Sequence, residues 1–256
     1  MKDDVEKLRT LETRYGVRIF YFSETTSTND LARDERFRQG DVIVAERQTA
    51  GRGQRGNRWS SEAGTNLTFT MVLEPKELEA ENQFYVSRAV TLAVTDMLAR
   101  FGIGASVKWP NDIYVDDRKI CGILIENDLM GSNVVRSIAG IGINVNQHEF
   151  DPLLPNPVSM ASVKGMLFDR TEVLGKFLEA VRQRTEHLDG EEYSSLDRDY
   201  RKILYRADGK EYFFREPEGT PFRAVLETVL PGGEMVLRKS DGARKSYWFK
   251  EVEFVL

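Results

Sequence analysis

Val107-Lys108-Trp109-Pro110-Asn111-Asp112-Ile113-Tyr114-Val115 runs into Asp116-Asp117-Arg118 and returns as Lys119-Ile120-Cys121-Gly122-Ile123-Leu124-Ile125-Glu126-Asn127. Both arms are rich in β-branched and aromatic residues, and the acidic triplet between them has the composition of a tight turn, so the segment predicts a β-hairpin. Proline cannot donate a ladder hydrogen bond, so Pro110 predicts a bulge or corner in the first arm.

Working outward, further strands are expected on both sides. Val17 to Phe22, Asp41 to Glu46 and Asn66 to Leu73 precede the hairpin; Val134 to Val145 follows it, with Gly140 and Gly142 suggesting close backbone approach. Between them, Asn82 to Phe101 keeps apolar residues at helical spacing and is followed by Gly102, a helix-stop signal. Ser27 or Thr28 suits the N-cap of a helix reaching about Phe37; capping alone is the plainer reading of the Ser23–Asp30 run, and a cluster of hydroxyls and amides facing a ligand is the functional one. Thr171 to Leu188 and Glu191 to Tyr205 predict two more helices. After Arg206 the pattern changes to short β runs (Phe213-Phe214, Phe222 to Leu230, Met235 to Arg238, Tyr247 to Val255) punctuated by Asp-Gly and Pro-Gly turns. The expected fold class is therefore α+β: a mixed central β-sheet with helices on one side, over residues 1–206, followed by a small all-β domain over 207–256.

Asp41 to Glu46 leads through Arg47-Gln48-Thr49-Ala50 into Gly51-Arg52-Gly53-Gln54-Arg55-Gly56-Asn57-Arg58-Trp59, where three glycines alternate with three arginines. Glycine lets backbone come close to a ligand, and arginine presents a planar fork suited to phosphate or carboxylate. A loop of this kind between two strands is placed to wrap a small anion; the plainer alternative is a solvated basic turn or a nucleic-acid patch. Mutual repulsion of its arginines predicts an empty loop that is mobile and closes on an anion.

Composition narrows the classes. A chain of 256 residues with 41% hydrophobic and 30% charged residues can build a substantial core and a soluble surface. A net charge of -5 argues against a general nucleic-acid binder. One cysteine, Cys121, rules out a disulfide framework, and two histidines, His148 and His187, leave no histidine-rich metal site or Ser-His-Asp triad. No apolar run reaches membrane-spanning length and the charged N-terminus carries no secretory segment, so no membrane association and a cytoplasmic location are expected.

The Gly51–Trp59 loop, Lys108-Trp109-Pro110-Asn111-Asp112, Lys119 to Glu126 and Gly140-Ile141-Gly142-Ile143-Asn144-Val145-Asn146, in this order, resemble biotin protein ligase, also called biotin–[acetyl-CoA-carboxylase] ligase. The resemblance covers Val17 to the C-terminus. It implies a class II synthetase-like catalytic domain with an SH3-like C-terminal β-barrel, and a reaction in two steps: the carboxylate of biotin attacks the α-phosphate of ATP, giving biotinyl-5′-AMP and pyrophosphate, and a lysine of a biotin carboxyl carrier domain of a biotin-dependent carboxylase then displaces AMP. Biotin and ATP are the implied substrates, with Mg²⁺. The first step crowds carboxylate against phosphate, and positive groups must neutralise the excess charge; Arg52 and Lys119 are the candidates, with the loop amides cradling the rest.

The resemblance also distributes the remaining positions. Ser27, Thr28, Asn29, Gln48, Gly51, Arg52, Gly53, Lys119, Gly122 and Leu124 match biotin-binding positions. Arg52, Arg55, Trp59, Lys108, Trp109, Asn111, Lys119 and Asn144 match adenylate positions. Asp112 is the candidate to orient or deprotonate the acceptor lysine. Two departures stand out. Gln54 occupies a position where many members carry arginine, and only about sixteen residues precede the first strand, too few for the DNA-binding domain some members carry, so no DNA partner is expected. The sequence does not fix the oligomeric state; a homodimer through edge strands is one arrangement it allows, with Val134 to Val145 one candidate edge. The alternatives are a lipoate–protein ligase and a non-enzymatic RNA- or carrier-binding module. Cys121, in an apolar strand, is expected to be a buried structural thiol.

Overall fold

The computed structural model describes residues 2–188 and 193–255, without the side chains of residues 2–5 and 55. Two sheets organise the chain. The first has seven strands in the order β1-β2-β3-β7-β6-β5-β4, formed by β1 (Ile19–Thr25), β2 (Val42–Gln48), β3 (Leu67–Leu73), β4 (Ser106–Lys108), β5 (Asp112–Val115), β6 (Arg118–Met130) and β7 (Asn133–Ile143). β1 pairs parallel to β2 and every other neighbour is antiparallel, so the sheet is mixed, as expected. Five helices of the first two hundred residues are α1 (Lys2–Tyr15), α2 (Thr28–Leu31), α3 (Phe84–Arg100), α4 (Met160–Lys164) and α5 (Arg170–Thr185), and α6 (Ser194–Ile203) leads to the second sheet.

Strand periodicity divides the first sheet's two faces. Val42, Val44, Leu67, Phe69, Met71, Ala139, Ile141 and Ile143 point to one face, where they bury against α3 and α5 in the main core. The alternate residues point to the other face. There Ile43, Val72 and Ile138 form a small second core with Ala32 and Phe37 from the segment around α2. The rest of that second face is lined by small and polar side chains, and it carries the site described below.

Several boundaries differ from expectation for local reasons. The helix expected to reach Phe37 stops at Leu31; Asp34 spends its carboxylate on the Arg36 amide (2.9 Å), and the chain proceeds through i→i+3 turns, the kind of side-chain competition that ends helices. Val134 to Val145 is not an edge: β7 lies between β3 and β6 and is hydrogen-bonded along both sides. The edges are β1 and β4, and β4 is itself covered by Leu204 and Tyr205, whose amide donates to Val107 (2.8 Å). Helix α1 had no counterpart in the sequence analysis; Leu8 and Leu11 bury against the core, and Leu11 packs so close that a Cβ at Gly175 of α5 would come within 3.0 Å of it. Residues 191 and 192, the start of the helix expected from Glu191, lie outside the described residues; α6 begins at Ser194.

The second sheet contains β8 (Tyr212–Arg215), β9 (Phe222–Val229), β10 (Met235–Lys239), β11 (Arg244–Tyr247) and β12 (Glu253–Phe254), all antiparallel, in the order β11-β10-β9-β8-β12. The run expected from Tyr247 to Val255 is split in two by the turn around Lys250, which has φ 74°. Two polar anchors join the sheets. Arg88 of α3, almost fully buried, donates to the carbonyls of Val229 (2.6 Å) and Leu230 (3.0 Å). Trp109 Nε1 donates to the carbonyl of Gly233 (2.8 Å). Both donate to backbone carbonyls at the end of β9 and in the turn to β10, and so hold that turn against α3 and the Trp109 corner.

Candidate active site

Cross-strand partners share a sheet face, so the register fixes which side chains meet. Thr68 pairs with Gly142, Gly142 with Gly122, and Gly122 with Asp112; two residues along, Thr70 pairs with Gly140 and Gly140 with Leu124. All of these residues stand on the face away from α3 and α5. The three glycines leave a trough there, and the trough is the floor of a cavity of about 500 Å³.

Other side chains fill the glycine positions. A Cβ at Gly142 would lie 2.2 Å from Cε2 of Trp59, and one at Gly122 would lie 3.0 Å from Cζ3 of the same indole. Trp59 therefore lies across Gly122 and Gly142. A Cβ at Gly140 would lie 2.1 Å from Oδ1 of Asn29. Asn29 is buried, receives the hydroxyl proton of Thr70 (2.6 Å) and donates to the Leu124 carbonyl (3.3 Å) and to Glu126 (3.0 Å). Beside it, the amide and hydroxyl of Thr28 meet Gln48 Oε1 at 2.7 and 3.1 Å. Ser27 is buried at the N-cap of α2, but its hydroxyl makes no capping bond, which frees it for the cavity it lines. This end of the cavity presents amide and hydroxyl groups suited to a neutral polar ring, with the Glu126–Arg52 ion pair behind Asn29.

The opposite end is charged. The chain leaves β4 at Lys108, turns through the cis Trp109–Pro110 peptide and re-enters the sheet at Asp112. The corner expected at Pro110 is therefore present, and it sends Asp112 to the cavity. Lys119 Nζ is 2.8 Å from Asp112 Oδ1 and lies 6.0 Å from the Trp59 ring centre. The Lys119 backbone is fixed on both sides, its amide donating to the Asn156 carbonyl (2.7 Å) and its carbonyl accepting from Val158 (2.9 Å). Lys108 donates to the Tyr114 hydroxyl (3.1 Å). Burial holds its ammonium below the usual lysine range, with Lys119 and Arg206 pushing the same way and Asp112 opposing. Asn111 is buried and donates to the Ile123 carbonyl.

The Gly/Arg loop closes over the trough as a narrow hairpin. Gly53 donates to the Asn57 carbonyl (2.7 Å) and Trp59 to the Gly51 carbonyl (3.0 Å). Gly51 sits behind the cavity wall rather than on it; a Cβ there would come 2.4 Å from the Trp59 carbonyl oxygen, so glycine is required for the loop to fold back. The repulsion expected among the arginines is not met at Arg52. Its guanidinium pairs with Glu126 through Nη1 (3.0 Å) and Nη2 (2.7 Å) and with Asp30 (2.8 Å). The Arg55 side chain lies outside the described residues.

Ser27, Thr28, Asn29, Gln48, Arg52, Gly53, Trp59, Lys108, Trp109, Asn111, Asp112, Lys119, Gly122 and Leu124 all line the same cavity. Asn144 does not. It follows the end of β7, is buried, and turns its amide to the Val158 carbonyl (3.1 Å), so it braces the segment that holds Lys119. Phe249, Val252, Glu253 and Phe254 of the second sheet also line the cavity; no motif marked them, because they reach it only through the packing of one sheet on the other. Glu126 was likewise unmarked, although the two-residue period that carries Gly122 and Leu124 onto this face carries Glu126 with them. Cys121 points to the opposite face and is fully buried, and burial drives its thiol far above the usual range, which leaves it inert.

Known proteins resemble this chain in sequence and fold. Residues 19–144 match the Biotin/lipoate A/B protein ligase family. The bifunctional ligase/repressor BirA of Bacillus subtilis (strain 168) is 32% identical over 259 residues, spanning 94% of this chain and 78% of that protein. BirA of Bacillus spizizenii is 32% identical over 192 residues, 70% of this chain and 59% of that protein. Among solved structures, the biotin protein ligase from Aquifex aeolicus in complex with biotin and ATP superposes with a TM-score of 0.78 at 26% identity, covering 93% of this chain and 99% of that one. These relatives decide for a biotin ligase over a lipoate ligase and over a non-enzymatic module. With its mixed sheet, its separate antiparallel sheet and its glycine-floored cavity, the chain belongs to the biotin protein ligase family.

Proposed function

We propose that this chain activates biotin with ATP as biotinyl-5′-AMP and transfers the biotinyl group to a lysine of a biotin carboxyl carrier domain, with residues 1–206 as the catalytic domain and 207–256 as a smaller domain that completes the cavity. The observation that carries this reading is the polarity of the cavity. Its neutral polar end, Ser27, Thr28, Asn29 and Gln48, suits a ureido ring, and its charged end, Lys119 with Asp112, suits the place where carboxylate meets phosphate.

In the first step a carboxylate oxygen of biotin attacks the α-phosphorus, the bond to the bridging oxygen of pyrophosphate breaks, and negative charge accumulates between them. Lys119, fixed at its backbone, supplies the opposing charge. Mg²⁺ arrives on ATP as part of the substrate. Among the described residues no group of three or more His, Cys, Asp or Glu could hold a metal by itself; Asp112 and Glu253 are the carboxylates that line the cavity, and a phosphate-borne Mg²⁺ needs only one or two. In the second step the neutral acceptor amine attacks the anhydride carbonyl and AMP leaves; Asp112, at the cavity wall, orients the amine and takes its proton. Trp59 over the trough keeps water from the anhydride. Lys108, with its lowered proton affinity and its place beside Tyr114 and Phe254, lies on the adenylate side.

No helix among the described residues is long and apolar enough to cross a membrane, and the proposed setting is the cytoplasm. For a homodimer, β1 is the edge left for pairing with a second copy, since β4 is covered. The deciding experiment is mass spectrometry of a purified carrier domain incubated with this protein, biotin and MgATP. The expected result is addition of one biotinyl group, dependent on both substrates; an unmodified carrier, with no pyrophosphate released, would refute the reading.

A further inference from the structure

Glu126 holds more than its position in a strand requires. One carboxylate oxygen accepts from Arg33 (2.6 Å) and from Arg52 Nη1 (3.0 Å); the other accepts from Arg52 Nη2 (2.7 Å) and from Asn29 Nδ2 (3.0 Å). Asn29 belongs to α2 and forms part of the neutral polar end of the cavity. Arg52 belongs to the Gly/Arg loop, which ends in Trp59. Glu126 is on β6, paired there with Ile138 of β7. Three separate pieces of chain are thus joined at a single carboxylate.

The charges in this cluster cancel. Arg52 and Arg33 face Glu126 and Asp30, so the charge of Arg52 is already compensated before any phosphate arrives. Burial raises the proton affinity of Glu126, but the hydrogen bonds from Arg52 and Asn29 and the charges of Arg52 and Arg33 outweigh it, and the carboxyl stays ionised below the usual range. A guanidinium gripped end-on by both Nη groups is a geometric tie more than a free cation. The remaining donor, Arg52 Nε, is buried without a partner among the described atoms, which leaves one N–H for an incoming acceptor.

We propose that Glu126 is a positioning residue that couples the two ends of the site: through Asn29 it senses occupation of the neutral polar end, and through Arg52 it sets the Gly/Arg loop that carries Trp59 over the trough. This rests on the reading of the cavity as the biotin–adenylate site. Arg52 then acts chiefly by holding the loop in register, and filling the α2 end with biotin fixes the loop before the adenylate forms. Coupling between sites of this kind is commonly in the range of about 5–150-fold.

The test is hydrogen exchange read at Ser27–Leu31 and at Ala50–Trp59, with and without biotin, alongside the release rate of preloaded biotinyl-AMP. In the wild type, biotin should protect both segments. In Glu126→Gln, which keeps the size and removes the charge, biotin should still protect Ser27–Leu31 but no longer the loop, and biotinyl-AMP should leave about tenfold faster, within the usual range of such coupling. Loop protection and release equal to wild type would overturn the proposal. Arg52→Lys keeps the charge, loses the two-point grip and must give the same decoupling; wild-type behaviour there overturns it even if Glu126→Gln does not fold. A wild-type protein that shows no protection by biotin at either segment would instead overturn the proposed function, so the two failures are distinct.

Discussion

Gly142→Ala tests the trough directly, because the structure says which partner must yield. The new methyl would stand 2.2 Å from Trp59 Cε2, 2.5 Å from Nε1 and 2.6 Å from Cζ2. Carbon atoms in contact sit about 3.5–4.0 Å apart, so the indole must retreat by more than 1 Å or so. The strand cannot move instead, since β7 is hydrogen-bonded to β3 and β6 on both sides of this residue. The loop can move beyond the Arg52 tie to Glu126, because residues 56–58 are exposed and its backbone hydrogen bonds, Gly53 to Asn57 and Trp59 to Gly51, close within it. The cost of overpacking, about 1–3 kcal/mol, therefore falls on seating Trp59 over the trough and not on the sheet.

Each 1.4 kcal/mol or so is tenfold in affinity, so biotin and biotinyl-AMP should bind about 5–150-fold more weakly by calorimetric titration, while the thermal midpoint changes little. Gly104→Ala is the control: no atom lies within 4 Å of the added methyl, and it should bind as wild type. Trp59→Phe, with its smaller ring, should recover part of the loss when combined with Gly142→Ala, giving a non-additive pair. Wild-type affinity in Gly142→Ala, or strict additivity in the double variant, would refute the view that the indole lies on the Gly122–Gly142 floor.

Three further outcomes follow from the same geometry. Lys119→Ala removes the ammonium 2.8 Å from Asp112 and should reduce single-turnover adenylate formation at least about 100-fold, as loss of a charge-stabilising donor does elsewhere; a rate within a few-fold of wild type would remove Lys119 from the chemistry. Asp112→Asn should slow transfer more than adenylation, read by supplying purified biotinyl-AMP and a carrier domain, with normal transfer excluding the acceptor role. Asp199 is held down to about 2, first by its hydrogen bond from Arg184 and then by Lys202 and Arg198; its folded-state value lies below an unfolded value of about 3.9, so its contribution is complete above about pH 4 and drains away as pH falls toward 2. Asp199→Asn should accordingly be destabilised near pH 7 in urea unfolding, with the gap to wild type closing as the solution is acidified; a gap that is constant from pH 7 to 3 would contradict the pairing.

The parts of this site that were legible in the sequence are those whose chemistry is local to a motif. Pro110 forces a corner between β4 and β5, and a corner there turns Asp112 to the cavity whatever the rest of the chain does. Gly140 and Gly142 announce that something comes close to β7, though only the structure says that Asn29 and Trp59 are what comes. Where the outcome depends on a distant partner, the motif misleads. Asn144, which the resemblance puts near the adenylate, directly follows β7, and in this structure its amide is donated to the Val158 carbonyl. β7, offered as a candidate edge, is paired on both sides, and its two glycines make room over one face instead. Arg52 looked like a free cation in a loop of like charges because its counter-charge, Glu126, is 74 residues away in sequence. Yet the period of two residues along β6 carries Gly122, Leu124 and Glu126 onto one face, and a carboxylate at the third of those positions, next to a cavity fed by an arginine loop, would be costly to bury unless a cation reached it. Arg52 lies at the base of that loop, three residues beyond the hairpin's entry at Thr49, and is the arginine best placed to do so. What strand periodicity alone could not supply is the second half of the tie, Asn29 on the same carboxylate, which depends on α2 ending at Leu31 and on Gly140 leaving room for the amide beneath it.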